Sequence, residues 1–348
     1  MRVGLLTVQV PFVRGGAEML AESLAREIKR AGHEAEIISL PYKWYPPARI
    51  PEHMLACRLV GVEDSNGVPI DRVIGLKFPA YMARHPNKVM WLLHQHRGAY
   101  DLWGTELGDL HNSPDGAHVR AAIQEADTRL IPEARACYTI SRKVSDRLRR
   151  FCDLPSTPLY HPPPGAEQLS CGEYGDYFLV PSRINRSKRQ DLVVEALALT
   201  RHPVRAVFMG AADDHRYGDA LKASSERGAA GGRAVWAGAV SDEKRVQLYA
   251  DCLGVVFVPW DEDYGYVTLE AMLCAKPVVT CSDSGGPLEF VEDRVNGLVC
   301  EPSPAALAEA LDLLWERRQA ARGYGQAGLQ RYRDMGIGWE KTLSCLLG

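Results

Sequence analysis

Two series of short β-branched runs, each run followed by a stretch with a helical repeat, organise the apolar and polar positions of this chain. In the first half, residues 3–8 read as a strand and 35–40 as the next. Between them, residues 17–31 read as a helix in which Leu20, Leu24 and Ile28 stack at i, i+4 and i+8 and Gly32 supplies the stop. Further strands are predicted at 72–76, 88–93 and 137–140, with helices before and after the last. Proline then clusters at Pro155, Pro158 and His161-Pro162-Pro163-Pro164-Gly165, which cannot sustain a helix or an inner strand, so an interdomain linker is placed there. The second half repeats the alternation, with strands at 177–180, 204–209, 234–237, 254–258 and 277–280 and helices between them. This pattern predicts an α/β protein of two doubly wound, mostly parallel sheets, which bind ligands at the carboxyl ends of their strands. The expected organisation is an amino-terminal domain over 1–165, a second domain over 166–325 and a carboxyl-terminal segment, 326–348 with Trp339, that packs back on the first domain.

Composition sharpens this picture. A chain of 348 residues is long for one open α/β domain of ~150 residues and suits two. A net charge of −3 gives no basic signature, so nucleic acid is not an expected partner. The nine cysteines are odd in number and form no C-x-x-C pair, which argues for reduced thiols in a cytoplasmic protein rather than a disulfide framework or zinc site. Residues 1–13 superficially resemble a signal peptide, but Gln9 and Arg14 interrupt them and a first strand fits better. No run of 18 apolar residues is present, so no transmembrane helix is expected.

The candidate chemistry gathers at strand ends. Gly254-Val255-Val256-Phe257-Val258 reads as a buried strand, which places Glu262 just past its carboxyl end. Gly265 permits a tight turn, and Val267, Leu269, Ala271, Met272 and Leu273 form a short buried helix carrying Glu270 in its early turns. Two carboxylates able to hold hydroxyls would then share a small volume with a helix amino terminus able to hold a phosphate, a combination that a nucleotide sugar requires. The plainer alternative is an acidic loop followed by a solvated helix Glu. Arg183 and Lys188, flanked by Arg186 and Arg189, follow the strand 177–180 and precede a helix over 190–199. A guanidinium fork beside an ammonium suits a diphosphate, whereas the plainer reading is a solvated basic loop. Gly15-Gly16 and Gly285-Gly286-Pro287 each sit between a strand and a helix start, where backbone N–H groups approach a phosphate or simply turn the chain. His94 and His96 follow the strand 88–93, where a histidine can hydrogen-bond a sugar; a metal reading of H-x-H lacks a nearby third ligand.

Nearly the whole chain resembles the retaining glycosyltransferases of family 4, which have the GT-B fold, two Rossmann-like domains facing a deep cleft. Glu262 to Met272 looks like that family's E-x7-E motif, and Arg183 and Lys188 match its five-residue-spaced pair for the donor diphosphate. Gly15-Gly16-Ala17-Glu18 and Ser284-Gly285-Gly286-Pro287 look like its two glycine loops. Trp236-Ala237-Gly238-Ala239-Val240-Ser241 is similar to its nucleobase seat, with Gly238 and Val240 as donor contacts, and His94 fits its histidine beside the donor sugar. The resemblance implies metal-independent transfer of a sugar from a nucleoside-diphosphate sugar to a hydroxyl acceptor, with retention and no cofactor. In that scheme Arg183 and Lys188 stabilise the departing diphosphate and Glu262 holds sugar hydroxyls. Glu270 accepts ribose hydroxyls, and the Tyr264-Gly265-Tyr266 turn presents backbone N–H groups.

Rival readings are a nucleotide-sugar epimerase or hydrolase on the same plan, and a metal-dependent transferase using Asp261-Glu262-Asp263 as a D-x-D motif. A dinucleotide-dependent oxidoreductase is disfavoured, because the first turn lacks G-x-G-x-x-G and the second strand ends Ser39-Leu40-Pro41 without an acidic ribose ligand. The basic amphipathic stretch 141–151 raises a peripheral contact with the inner membrane face. It leaves glycan, lipid-linked sugar and small-molecule acceptors open.

Overall fold

The inner β-branched runs, such as residues 3–8, 73–76, 254–256 and 278–281, form strands buried on both faces, as parallel sheets covered by helices require, while the edge strands stay partly exposed. The computed structural model describes residues 1–12, 15–228 and 230–348 and divides into two units, Met1–Pro164 with Gly338–Gly348, and Gly165–Ile337. The first unit runs β1 (Arg2–Gln9), α1 (Gly16–Arg30), β2 (Glu34–Pro41), α2 (Ile50–Leu59), a small hairpin of β3 (Asp64–Ser65) and β4 (Val68–Pro69), β5 (Arg72–Lys77), β6 (Lys88–His94), α3 (Gly116–Leu130), β7 (Ala136–Thr139), α4 (Arg142–Cys152) and β8 (Thr157–Pro158). Its parallel sheet has the order β2-β1-β5-β6-β7-β8. Leu20, Leu24 and Ile28 of α1 are buried, so the helix rests on the sheet through its predicted apolar face.

The second unit runs β9 (Phe178–Pro181), α5 (Gln190–Leu199), β10 (Ala206–Met209), α6 (His215–Arg227), β11 (Ala234–Gly238), α7 (Asp242–Asp251), β12 (Gly254–Val256), α8 (Tyr266–Leu273), β13 (Val278–Cys281), β14 (Gly297–Cys300), α9 (Pro304–Glu316) and α10 (Arg318–Asp334). The order β11-β10-β9-β12-β13-β14 is again all parallel. A core of Phe178, Val256, Val279, Leu298, Leu307 and Leu311 joins this sheet to α9. In each sheet the chain first moves outward on one side and then crosses to the other, leaving a switch point between β1 and β5 and another between β9 and β12.

Several boundaries differ from expectation. The proline-rich segment contributes β8, an edge strand where a missing N–H costs nothing, before the units divide at Pro164. The strand expected over 254–258 ends at Val256, three residues before Pro259; β14 is an additional strand, and the two-residue strands of the β3–β4 hairpin are too short for a periodic signal. Of the segment 326–348, only Gly338–Gly348 joins the first unit; residues 326–334 continue α10 in the second. The joining piece is α11 (Trp339–Leu347). Trp339 meets the buried Trp91 edge-on at 6.4 Å, and Arg72 Nη1 donates to the Leu346 and Gly348 carbonyls at 3.0 and 2.8 Å. Among the described residues, no helix is long and apolar enough to cross a membrane.

Candidate functional site

The switch point of the second sheet brings together the residues that follow β9 and β12. Asn185 caps the turn over Arg186–Lys188 by accepting from Lys188 N at 3.1 Å, which fixes where the Lys188 side chain departs. Lys188 Nζ then pairs with Glu262 Oε2, and both side chains are largely enclosed. Two residues 74 positions apart thus form an ion pair at the sheet edge where open α/β folds bind ligands. Arg183 lies further out, half-exposed, and its Nη1 donates to both oxygens of Asp213 at 3.0 and 3.1 Å. Asn185 Nδ2 donates to the same carboxylate at 2.8 Å. Asp213 was not singled out from the sequence; its only signal is its position past the β10 strand end.

Backbone contacts hold the Glu262 loop in place. Glu262 N donates to Ser284 O at 3.0 Å, Gly286 N donates to Glu262 O at 2.7 Å and Asp261 N donates to Asp283 O at 3.0 Å. This crossing explains the glycine pair. Gly285 has φ +75°, and a Cβ there would lie 2.6 Å from Glu262 O, while one on Gly286 would lie 2.7 Å from Tyr264 O. The glycines read as a phosphate device or helix start therefore also let one loop press on another. Arg189, read only as a flanking charge, clamps both loops. It donates to Val258 O at 2.7 Å, Pro259 O at 2.8 Å and both oxygens of Asp283 at 2.7 and 2.8 Å.

Gly265, at φ +87°, caps α8 in the left-handed region that glycine tolerates. Tyr264 is buried edge-on against Tyr266 and Phe290, each at 5.5 Å, so the turn ahead of α8 is anchored by rings. Burial pushes the Tyr266 phenol up. Glu270, in the second turn of α8, accepts from Arg245 Nη1 at 2.9 Å and from Tyr249 Oη at 2.5 Å. Burial pushes its carboxyl up, and Arg245 and Tyr249 pull against that shift. Each carboxylate oxygen keeps a lone pair for a further donor. Arg245 and Tyr249 were missed, although their i, i+4 spacing behind Ser241, which caps α7 by accepting from Lys244 N, puts them on one helix face. That cap follows the predicted nucleobase seat. There, Gly238 closes β11 at φ +67°, Val240 is half-buried, and Trp236 stacks on Phe208 with centroids 4.2 Å apart.

In the first unit the equivalent switch point carries Gly15-Gly16 after β1 and Lys77 at the end of β5. Glu18 fills this position. Its Oε2 accepts from Gly15 N at 2.8 Å and its Oε1 pairs with Lys77 Nζ at 3.2 Å, so an N–H read as a phosphate donor is satisfied within the loop. Val13 and Arg14, just before it, lie outside the described residues. His94 ends β6 half-buried with Nδ1 2.7 Å from Gln95 O. His96 is packed against the Phe78 ring at 5.3 Å, and burial pushes it down to about 4, so it is neutral at physiological pH. Between them Gln95 turns inward and donates to Asp127 Oδ2 at 3.1 Å. Asp127, fully buried, also accepts from Tyr81 and Tyr100 hydroxyls at 2.7 Å each, and burial pushes its carboxyl up to about 6. This polar knot anchors the strand end that presents His94. The basic stretch forms α4, but its apolar face, Val144, Leu148 and Cys152, is buried in its own unit, leaving Arg142, Arg149 and Arg150 exposed.

Residues 168–331 match the sequence profile of the family described as glycosyl transferases group 1. The chain is 29% identical over 175 residues to the alpha-1,3/1,6-mannosyltransferase ALG2 of Homo sapiens, a match taking in 46% of this chain and 42% of that protein. It is 27% identical over 163 residues to O-antigen chain mannosyltransferase C of Escherichia coli, again 46% of this chain and 42% of the relative. The matches thus span less than half the length of these curated relatives. Among solved structures, Anabaena Alr3699/HepE in complex with UDP and glucose superposes with a TM-score of 0.71 at 20% identity, covering 99% of this chain and 100% of that one. The fold is the two-domain GT-B architecture expected from the sequence.

Proposed function

We propose, on the premise that residues 168–331 are a glycosyl transferases group 1 domain, that the chain moves a hexosyl group from a nucleoside-diphosphate sugar to a hydroxyl acceptor, with retention and without a metal ion. The observation that carries this reading is the Lys188–Glu262 ion pair at the switch point of the second sheet, eight residues before Glu270 on α8. Lys188 and Arg183 meet the donor diphosphate by exchanging Glu262 and Asp213 for phosphate oxygens. Because both cations are already oriented, the positive charge is in place when negative charge builds on the leaving group. Glu262, released from Lys188, turns its carboxylate to sugar hydroxyls. Glu270, held by Arg245 and Tyr249, accepts the two ribose hydroxyls on its remaining lone pairs.

The bond that breaks joins the anomeric carbon to the distal phosphate oxygen. The bond that forms joins that carbon to the acceptor oxygen on the same face, and the acceptor proton passes to the departing phosphate. His94 orients the sugar. The mannosyltransferase relatives and the UDP- and glucose-bound structural neighbour support a hexose donor. The basic solvent face of α4 supports peripheral attraction to an anionic membrane. The test is proton NMR of reactions containing UDP- and GDP-linked hexoses, mono- and oligosaccharide acceptors and excess EDTA. Transfer with the donor's anomeric configuration kept is expected; inversion, or activity restored only by added manganese, contradicts the reading.

A further inference from the structure

Cys281 and Cys300 are the last residues of β13 and β14, and they are direct register partners in the parallel ladder. Parallel neighbours stand ~4.8 Å apart, inside the Cα range of ~4.4–6.8 Å that a disulfide spans. The Cys300 thiol donates to Thr280 O, the carbonyl just before Cys281, at 3.5 Å. Cys300 is half-buried and lines an open groove of about 810 Å³ between β14 and α9, whereas Cys281 is fully buried behind it. Cys300 is thus the partly exposed member of a ladder pair whose other member, Cys281, is fully buried.

The surroundings favour reaction at Cys300. The neighbouring Cys281 thiol holds the Cys300 thiol below its ordinary value, and the Arg189 guanidinium favours the thiolate of either residue. Cys281 also starts the turn that carries the second glycine loop. Its N–H donates to Ser284 Oγ at 3.1 Å, Ser284 N donates back to Cys281 O at 3.0 Å, and Ser284 O accepts from Glu262 N at 3.0 Å. Through Ser284, hydrogen bonds therefore link the Cys281 backbone to the backbone N–H of Glu262, the residue whose carboxylate pairs with Lys188.

We propose that Cys281 and Cys300 form a reversible disulfide, made by exchange with a small-molecule disulfide, that displaces the Glu262 loop and weakens the nucleotide site. The Cys300 thiolate attacks one sulfur of the small disulfide and expels one thiol, leaving a mixed disulfide on Cys300. The Cys281 sulfur, its proton passed to the expelled thiolate, then attacks Cys300 Sγ and expels the second thiol. Two protein thiols are oxidised and one small disulfide is reduced to two thiols. Closing the bond draws the Cβ atoms to ~3.8 Å, which pulls the β13 and β14 ends together and shifts the Cys281–Ser284 turn. A cross-link that strains its ladder is easily reduced, the property of labile rather than structural disulfides.

The affinity arm rests on the donor-site reading above; the covalent arm does not. The full chain carrying Cys171→Ser, which removes the exposed thiol, is equilibrated with glutathione disulfide or with reduced glutathione. It is then analysed by intact mass and peptide mapping, and titrated calorimetrically with UDP and GDP. The expected result is loss of two hydrogens with a Cys281–Cys300 linked peptide, and nucleotide affinity about tenfold weaker, as for one displaced charged hydrogen bond. Both changes reverse on reduction and are absent in a Cys300→Ser variant. A stable glutathione adduct on Cys300 without the linkage, or a linkage that leaves nucleotide affinity unchanged, overturns the proposal. If the reduced protein binds neither nucleotide, the donor-site reading fails while the mapped linkage still decides the chemistry.

Discussion

Replacing Arg189 with Met keeps most of the aliphatic stem and removes the fork that ties the loops after β12 and β13. Two of the four lost hydrogen bonds go to backbone carbonyls and two to Asp283, at distances of 2.7 to 2.8 Å. The Arg189 side chain is 17% exposed and that of Asp283 36%, so the carboxylate regains some water on mutation while the carbonyls regain less. A charged fork of this kind contributes roughly 1.5 to 3 kcal/mol net, and each stranded carbonyl costs about 1 kcal/mol, effects that are not additive. An overall loss of about 3 kcal/mol is expected. At about 2 to 4 °C per kcal/mol for a unit of this size, the second unit's melting temperature falls by roughly 6 to 12 °C. Urea unfolding followed by tryptophan fluorescence, with calorimetric melting alongside, measures it. A destabilisation below about 1 kcal/mol would show that the clamp is incidental.

Gly285→Ala forces a Cβ to within 2.6 Å of Glu262 O at φ +75°, so it should cost at least about 2 kcal/mol and disorder the Lys188–Glu262 pair; unchanged urea unfolding would refute this. Tyr249→Phe removes a donor from the ionised Glu270 carboxylate and pushes that carboxyl further up. The loss should be about 2 kcal/mol at neutral pH and smaller in acid, where the carboxyl is protonated, and a pH-independent loss contradicts the assignment. Asp127 is held at about 6 against an ordinary 3.8, a difference of ~3 kcal/mol. Between those values the folded state binds more protons than the unfolded chain, so this contribution is full in acid and lost as pH rises through about 6. The stability of the wild type relative to Asp127→Asn should therefore fall by about 2 kcal/mol between pH 4 and pH 7, and a flat difference in urea midpoints would refute it.

What the sequence made legible followed from periodicity and strand ends. The helix over 190–199 lies where expected, and α1 buries the predicted Leu20, Leu24 and Ile28, because amphipathic spacing reports a buried face directly. Arg183, Lys188, Glu262 and Glu270 could be placed near strand ends because a parallel sheet puts every loop of one kind at one edge. Their partners could not be placed. Asp213, Arg245 and Tyr249 reach the site from loops and helices whose mutual approach is set by tertiary packing, and local pattern does not encode that distance. The glycine pair was visible, yet its structural reason, the crossing of the Glu262 loop, depends on a backbone 20 or so residues away in sequence. Burial likewise separated two histidines that look alike in the sequence. His96 is held neutral by its enclosure, and His94 is presented by a strand end that the buried Gln95–Asp127 contact holds.

Isothermal titration of the wild type and of Lys188→Ala with UDP, GDP and their hexose conjugates tests the central claim most directly. At least one nucleoside-diphosphate hexose should bind the wild type, and Lys188→Ala should weaken it by about ten- to a hundredfold, the worth of one charged hydrogen bond to phosphate. A wild type that binds none of them, or a Lys188→Ala variant that binds equally well, would contradict the account.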